Sequence, residues 1–489
     1  MTLAVLHYHF RPGGVRRVIE HGLPALASAA GFSRVILAAG EPPDAVWRRH
    51  METALHPCAV NWLIEPALGY WSDQSLPAPA VREAVRATVE RLTSGSVLWA
   101  HNLSVGRNMI LAQEVAAAAQ TAEVWLHHHD WWWDGRWERW PEMEVQGITS
   151  LTEAMAATLP GATGVRHFCI NAGDVRRLRE WTGGVFHFLP NAWVPESVTA
   201  AETEAAREFL RRLTGRNSWW LYPCRGLRRK NIAEALLVQR CLAPEAVTVT
   251  TGGASSAAED RCFSALTLAA AQHGWPLRTG VCADGDGPPV AHLVAASEAM
   301  VVTSLREGFG LLYGEAAGRP LAARIPSGLD ETLRATGFIF ENGWRELRVP
   351  YGACDADAEA SRTAAGRLRL QEVLPPELRP LTGRWQPESQ AAPDFGTLSL
   401  TGQLEVLRQP LPALRRSCMA LNPVLRRPLS PQPPASKKIS PREWARALLS
   451  AAGTSMRIHL PENLPLFLAP LLHHWLRHPL LWQSSSPLP

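Results

Sequence analysis

The sequence predicts an α/β protein made of two doubly wound units in tandem. Three observations carry this expectation. Short apolar runs alternate with helical patterns from the first residues onward. The alternation restarts after about residue 190. Several apolar runs end in glycine-bearing or charged turns, the places where open parallel sheets hold their ligands.

The first strand is expected at residues 3–8, followed by Arg11-Pro12-Gly13-Gly14 and a helical pattern over 15–26. Further strands read at 34–38, 97–100 and 123–126, with an Ala-rich helix near 110–119. Strands alternating with helices give a parallel sheet covered on both faces. Phe188-Leu189-Pro190-Asn191 reads as the end of the last strand and a hinge, so residues 1–195 are taken as an N-terminal domain.

The second unit opens with a strand at 219–223 and a helix at 231–240. A strand at 246–250 ends in Thr251-Gly252-Gly253, and one at 298–303 runs into Glu307-Gly308-Phe309-Gly310. Residues 196–435 are taken as this second domain, including a helical stretch at 400–421. Within 436–455, Ser440, Pro441 and Glu443 start a helix as N-cap, first and third positions. Residues 456–489 are rich in Leu, Pro, His and Trp, with proline interrupting each apolar run. They are read as a poorly ordered tail or a docking strip.

Composition narrows the function. With 46% hydrophobic residues in 489, a sizeable core is assured. A net charge of +4 gives no reason to expect nucleic acid, whereas a small anionic substrate needs only a local basic cluster. The eight cysteines form neither C-x-x-C pairs nor zinc spacing with histidine, which points to a reducing compartment, the cytoplasm. The N-terminus reads as a strand rather than a signal peptide, and no apolar run is long enough to span a bilayer.

The strongest chemical signal runs from Thr303 to Pro320. It is a strand, a glycine loop, a helix and a small-residue turn. Gly308 and Gly310 let the backbone approach a ligand. The helix opening at Leu311 aims N–H groups at it, which favours phosphate. Glu315 lies roughly 6 Å further along the helix axis, within reach of hydroxyls beyond the phosphates. Glu307, on the loop, can reach the hydroxyls of a sugar.

A second signal is Tyr222-Pro223-Cys224-Arg225-Gly226-Leu227-Arg228-Arg229-Lys230-Asn231, between a strand and a helix. Fixed cations here would stabilise negative charge developing on a diphosphate leaving group. Arg228 and Arg229 are read as solvated surface residues.

A third is His127-His128-His129-Asp130-Trp131-Trp132-Trp133-Asp134-Gly135-Arg136. Adjacent strand residues point to opposite faces, so this run alone cannot supply a tetrahedral zinc site and no metal is expected. Asp284-Gly285-Asp286 and Asp355-Ala356-Asp357 are given no metal role either. Gly13 and Gly14 form a strand-to-helix turn, where Arg11, Arg16 or Arg17 could hold an acid group. His101 to Asn108 follow another strand end on the same side.

These segments together resemble retaining GT-B glycosyltransferases, in particular glycosyltransferase family 4. Ser304, Glu307, Gly308, Phe309, Gly310 and Glu315 match that family's S-x-x-E-G-F-G loop and E-x(7)-E motif, Arg225 and Lys230 its R-x(4)-K pattern, His129-Asp130 its N-terminal His-Asp, and Gly13-Gly14 its first loop. The resemblance implies two Rossmann-like domains facing across a cleft, with the helix near Ser440 crossing back to the first. It implies a nucleotide-diphosphate-sugar donor, no cofactor or metal, and transfer with retention to a small-molecule, glycan or lipid-linked acceptor. It assigns Arg225 and Lys230 to the diphosphate, Glu307 and His129 to the sugar and its chemistry, and Glu315 to the ribose. Gly308, Phe309, Gly310 and Leu311 would line the donor. Gly13, Gly14, Arg16, Asp130, Asp134 and Arg136 fall on the acceptor side, with the tryptophans as part of an acceptor lid.

One departure concerns Arg324-Ile325-Pro326, which stand where the family has Gly-Gly. Two alternatives remain: a non-catalytic nucleotide- or sugar-binding protein, which would require losses at Glu307, Arg225 or Lys230, and a phosphorylase, for which no cofactor-lysine motif is present. No G-x-G-x-x-G follows a strand, which argues against a nicotinamide dehydrogenase.

Overall fold

The computed structural model describes residues 1–192, 196–316, 318–338, 343–350, 352–383, 392–431, 440–454 and 458–482. Two compact units divide the chain. One comprises Met1–Val194, Val373–Leu381 and Lys438–Leu472; the other comprises Pro195–Glu372, Thr382–Lys437 and His473–Pro489. The domain boundary expected after residue 195 adjoins 193–195, and that after 435 falls within 432–439, both outside the described residues.

The first unit holds seven parallel strands: β1 (Thr2–Leu6), β2 (Arg34–Ala39), β3 (Ala59–Ile64), β4 (Ser96–His101), β5 (Val124–His128), β6 (Val165–Cys169) and β7 (Phe186–Phe188). Their order is β3-β2-β1-β4-β5-β6-β7. β1 reads Thr-Leu-Ala-Val-Leu without polar alternation because helices cover both faces, and Leu3 to Leu6 are wholly buried. β4 and β5 are in register so that His101 lies beside His127.

The helix Gly14–Ala30 packs against Pro441–Ala452 within this unit. Gly22 makes the approach feasible: a Cβ there would lie 2.7 Å from the Trp444 ring. Trp444, Ala445 and Leu448 are fully buried on that face. Ser440 and Glu443 form the reciprocal cap expected from the sequence.

The second unit holds six parallel strands: β8 (Trp219–Tyr222), β9 (Val247–Thr250), β10 (Leu277–Arg278), β11 (Ala299–Val302), β12 (Leu321–Arg324) and β13 (Gly343–Trp344). Their order is β10-β9-β8-β11-β12-β13. Both sheets are therefore Rossmann-like and reverse strand order once, between β1 and β4 in one and between β8 and β11 in the other.

Arg324, the departure noted in the sequence, is a buried structural cation. It donates to Glu234 at 2.7 and 2.8 Å and to Asp394 at 2.6 and 3.1 Å. Trp344 Nε1 also donates to Glu234 and the Leu347 N–H to Asp394. The network ties β12 to its neighbours.

Two expectations are corrected. The stretch 400–421 is two helices, Leu400–Arg408 and Leu411–Leu421, because Pro410 cannot continue the first. The supposed tail is ordered over its described part. Leu464–Leu476 is a helix in spite of Pro470, and Leu468, Leu472, Trp475 and Leu476 are buried. Each fully buried Leu is worth roughly 1.5–3 kcal/mol, so a few of them offset the roughly 3 kcal/mol of an interior proline. In the first unit Phe467 packs on Trp181. In the second, the turn Pro479–Leu481 packs on the turn Arg228–Lys230, and Trp482 closes over Gly366. Residues 456–457 and 483–489 of the tail lie outside the described residues.

Candidate active site

In the second unit, β8 and β11 are neighbours at the reversal of strand order, where ligands of such sheets bind. β8 leads into the turn Arg228–Lys230 and β11 into Thr303 to Gly310. Asn231, with φ 50°, ends the turn in the left-handed region and starts the helix Ile232–Leu242. The Lys230 side chain is thereby directed inward, only 9% exposed, and its Nζ pairs with the Glu307 carboxylate.

Glu307 is held from several sides. Ser304 Oγ donates to it at 2.6 Å, and Arg229 Nη1 lies 3.4 Å away while donating to the Arg306 carbonyl at 2.9 Å. The Tyr222 hydroxyl lies 2.6 Å from Ser304 Oγ and 3.1 Å from the Lys230 carbonyl. Thr303 Oγ1 lies 3.1 Å from the Lys230 carbonyl and 3.0 Å from that of Asn231. Burial alone would push the Glu307 carboxyl up, but Lys230 and Arg229 outweigh it and hold it at about 2. Burial pulls the Lys230 ammonium below its ordinary range, with Glu307 opposing. The spacing of Lys230 and Glu307 along the chain carried no sign that they bond to each other.

Arg225 is exposed on the loop after β8. It sits close over the end of β9: a Cβ on Gly252 would lie 2.8 Å from Arg225 Cγ, so a side chain there would displace it. Gly310, with φ 82°, precedes the helix Leu311–Glu315; a Cβ on it would lie 2.8 Å from the Tyr313 ring. That helix has only five residues, shorter than the sequence suggested, and half-buried Glu315 ends it. Phe309 is buried and Gly308 half-buried on the same loop.

Two sequence readings fail here. Arg228 is not solvated: its side chain is 14% exposed and pairs with Glu259 at 3.3 Å. Arg229 is not a bystander either, since it shares Glu307 with Lys230. Both are turned toward carboxylates that other segments bring, Glu259 and Glu307.

In the first unit, the ends of β1, β4 and β5 carry the candidate residues. His129 is buried, with Nε2 3.2 Å from His101 Nδ1. Burial lowers its pKa to about 4 with Asp130 opposing, so it is a neutral imidazole at neutral pH. Asp130 is half-buried; its N–H donates to Asn102 and its carboxylate pairs with Arg136 Nη2 at 2.9 Å. His128 points to the other face, toward Ser104 and His167.

The reasoning that excluded a histidine metal site is incomplete. His127 and His129 share a face, and the neighbouring strand supplies His101; nitrogens of the three lie within 4.8 Å of one another. These are the residues that could hold a metal among those described.

The tryptophans do not offer faces to a ligand. Trp131, Trp132, Trp133 and Trp137 are 1–2% exposed and pack on one another, with Trp131 and Trp133 stacked at 4.6 Å. They fill the space beneath the loop after β5, the outcome expected of large apolar rings with neighbours to stack on. Asp134 and Arg136 remain half-buried on that loop, and Gly135 takes φ 67° between them. Gly13 and Gly14 are exposed before the first helix. Arg16 is committed within the fold: it pairs with Asp44 at 2.5 Å, donates to the Phe10 carbonyl and lies over the Trp47 ring. Arg11 pairs with Glu41. Sequence reasoning missed Arg139 and Tyr70, which have no motif spacing; Arg107 lies in the segment His101 to Asn108 already set on this side.

No protein-family model matches the chain. It is 23% identical over 333 residues to the mannosylglucosyl-3-phosphoglycerate synthase of Petrotoga mobilis, covering 64% of this chain. The chain spans 62% of the length of that curated relative. Among solved structures it is similar to HepE of Anabaena in complex with UDP and glucose, at 17% identity and a TM-score of 0.46 over 68% of this chain and 82% of that one. It is also similar to sucrose-phosphate synthase of Thermosynechococcus elongatus, at 20% identity and a TM-score of 0.47 over 78% and 97%.

Proposed function

We propose that the protein is a GT-B glycosyltransferase of the family 4 type, moving a sugar from a nucleoside-diphosphate donor to an acceptor hydroxyl with retention. The observation that carries this reading is the Lys230–Glu307–Arg229 cluster at the β8/β11 strand ends, with exposed Arg225 nearby on the same loop. Three cations against one carboxylate leave two positive charges, which suit a diphosphate. As the glycosidic bond breaks, charge concentrates on the diphosphate oxygens, and pre-positioned cations then stabilise the transition state more than the ground state. Glu307, fixed as a carboxylate, is positioned to accept from sugar hydroxyls, and Glu315 from the ribose. Similarity to a mannosylglucosyl-3-phosphoglycerate synthase supports the same reading.

The first unit takes the acceptor side, with His129 contributing to sugar binding and Asp130, Asp134 and Arg136 to the acceptor. The reaction needs no metal or cofactor, and the protein works in the cytoplasm. The test is incubation with UDP-, GDP- and ADP-linked sugars and a panel of hydroxyl acceptors, following nucleoside-diphosphate release and the anomeric configuration of the product by NMR. One donor class should be consumed with retention. Release of an inverted product, or no turnover with any donor, contradicts the proposal. Activity abolished by a chelator, with zinc held at His101, His127 and His129, would contradict its metal-free form.

A further inference from the structure

The order of the first sheet brings together cations that are far apart in sequence. β1 and β4 are neighbours at its reversal point, and β5 follows β4. Arg107 lies in the loop after β4, and Arg136 and Arg139 lie in the loop after β5. Arg139 Nε and Nη1 and Arg136 Nε are fully buried and reach no hydrogen-bond partner among the described residues. Arg136 spends its Nη2 on Asp130 at 2.9 Å. Arg107 is set over the Tyr70 ring at 4.7 Å, and Tyr70 is held by His9 at 2.9 Å.

Buried guanidinium N–H groups without acceptors are costly, and natural folds keep them where something else supplies the acceptors. Burial and the fields of Arg136 and Arg107 depress the Arg139 pKa to about 9, with Glu138 and Glu142 opposing only in part. Two tyrosines face these arginines: Tyr70 lies under Arg107, and Tyr8 is neutral, its pKa raised by burial. Asp130 answers Arg136, while Glu138 is exposed and Glu142 half-buried, and neither gives a hydrogen bond to the buried Arg139 N–H groups. A phosphate monoester carries about −1.5 to −2 and offers three acceptor oxygens to planar guanidinium forks.

Deepening the reading under Proposed function, on which the word acceptor rests, we infer that this arginine cluster binds the phosphate group of a phosphorylated acceptor, with Arg139 as its anchor and Arg107 and Arg136 beside it.

The test is calorimetric titration of the full chain carrying Lys230→Met with Glu307→Gln, so that the proposed diphosphate site does not report. The probes are inorganic phosphate, glucose 6-phosphate, glycerol 3-phosphate and glucose, without donor. At least one phosphate ester should bind more tightly than inorganic phosphate, and glucose at least tenfold more weakly than that ester. Arg139→Met should weaken phosphate-ester binding at least tenfold, while the melting temperature of the ligand-free protein holds or rises, because a buried charge lacking partners is removed. Arg107→Gln should weaken the same binding and keeps the test decisive if Arg139→Met fails to fold.

Binding unaffected by either variant would overturn the inference, as would a ligand-free Arg139→Met that melts lower yet binds as before. Inorganic phosphate binding as tightly as every ester would overturn the acceptor assignment. If no nucleotide sugar binds the unmodified chain but these titrations behave as stated, the glycosyltransferase reading falls and the phosphate site stands. If a nucleotide sugar binds and these titrations fail, only the phosphate site falls.

Discussion

Lys230 and Glu307 form a buried ion pair that joins the ends of two neighbouring parallel strands. Neither can be removed without leaving the other as an unmatched buried charge, so the pair couples stability to the proposed donor site.

Lys230→Ala is therefore expected to cost about 3–5 kcal/mol of stability, the range for breaking a buried pair from one side. The double variant Lys230→Met with Glu307→Gln should recover much of that loss while remaining inactive. Urea denaturation of the two proteins checks this. Equal loss in single and double variants would mean that the charges are not coupled.

Arg228→Ala should act on stability and not on turnover. Its partner Glu259 is buried with it and accepts from the Arg228 N–H at 2.5 Å. Loss of about 1–3 kcal/mol is expected from leaving that carboxylate short of a partner. Denaturation midpoints and single-turnover rates separate the two effects; a lower rate at unchanged stability would place Arg228 in the site.

Stability should fall as pH drops from 6.5 toward 4. His129 and His167 are buried neutral, with pKa lowered by burial to about 4 from 6.5. A group whose folded pKa is depressed binds its proton more readily when unfolded. Its contribution is complete above 6.5 and is lost as pH falls to about 4, up to about 3 kcal/mol for each. Glu307 adds a similar loss only lower, from 4.5 toward 2. Denaturation of the protein and of His167→Gln at pH 7, 5.5 and 4.5 should show a shallower decline in the variant. Parallel declines would contradict this.

Sheet architecture was legible because strands buried on both faces leave unbroken apolar runs such as Leu3 to Leu6 and Ala299 to Val302. Glycine loops and cations after strands were legible because their spacing is local. The hidden features depend on long-range packing. Arg228 and Arg229 look like a solvated basic turn until Glu259 and Glu307 arrive from elsewhere in the chain. The tryptophans after His129 look like sugar platforms until they stack on one another. Proline made the segment after residue 456 look disordered, although its leucines and Trp475 find a place to bury.

Truncation before Met456 should accordingly damage the fold. It removes the buried Leu468, Leu472, Trp475 and Leu476, together with the Pro479–Leu481 turn that packs on Arg228–Lys230. Loss of a fully buried Trp or Leu contributes roughly 2–5 kcal/mol even as a single truncation to Ala. The shortened protein should be insoluble or melt far lower. A truncated chain with unchanged melting temperature would show that the segment is dispensable.

The most direct test of the central claim is the turnover of Lys230→Arg and Arg225→Ala with the nucleotide sugar that the unmodified enzyme consumes. Lys230→Arg preserves a cation beside Glu307 but changes its shape, and Arg225 is exposed, so both variants should fold. Removing one pre-positioned charge from a developing anion costs roughly a hundred- to a thousandfold in kcat. The account predicts a fall of that size for Arg225→Ala and partial activity for Lys230→Arg. Near-normal turnover in both would contradict the placement of the donor diphosphate at the ends of β8 and β11.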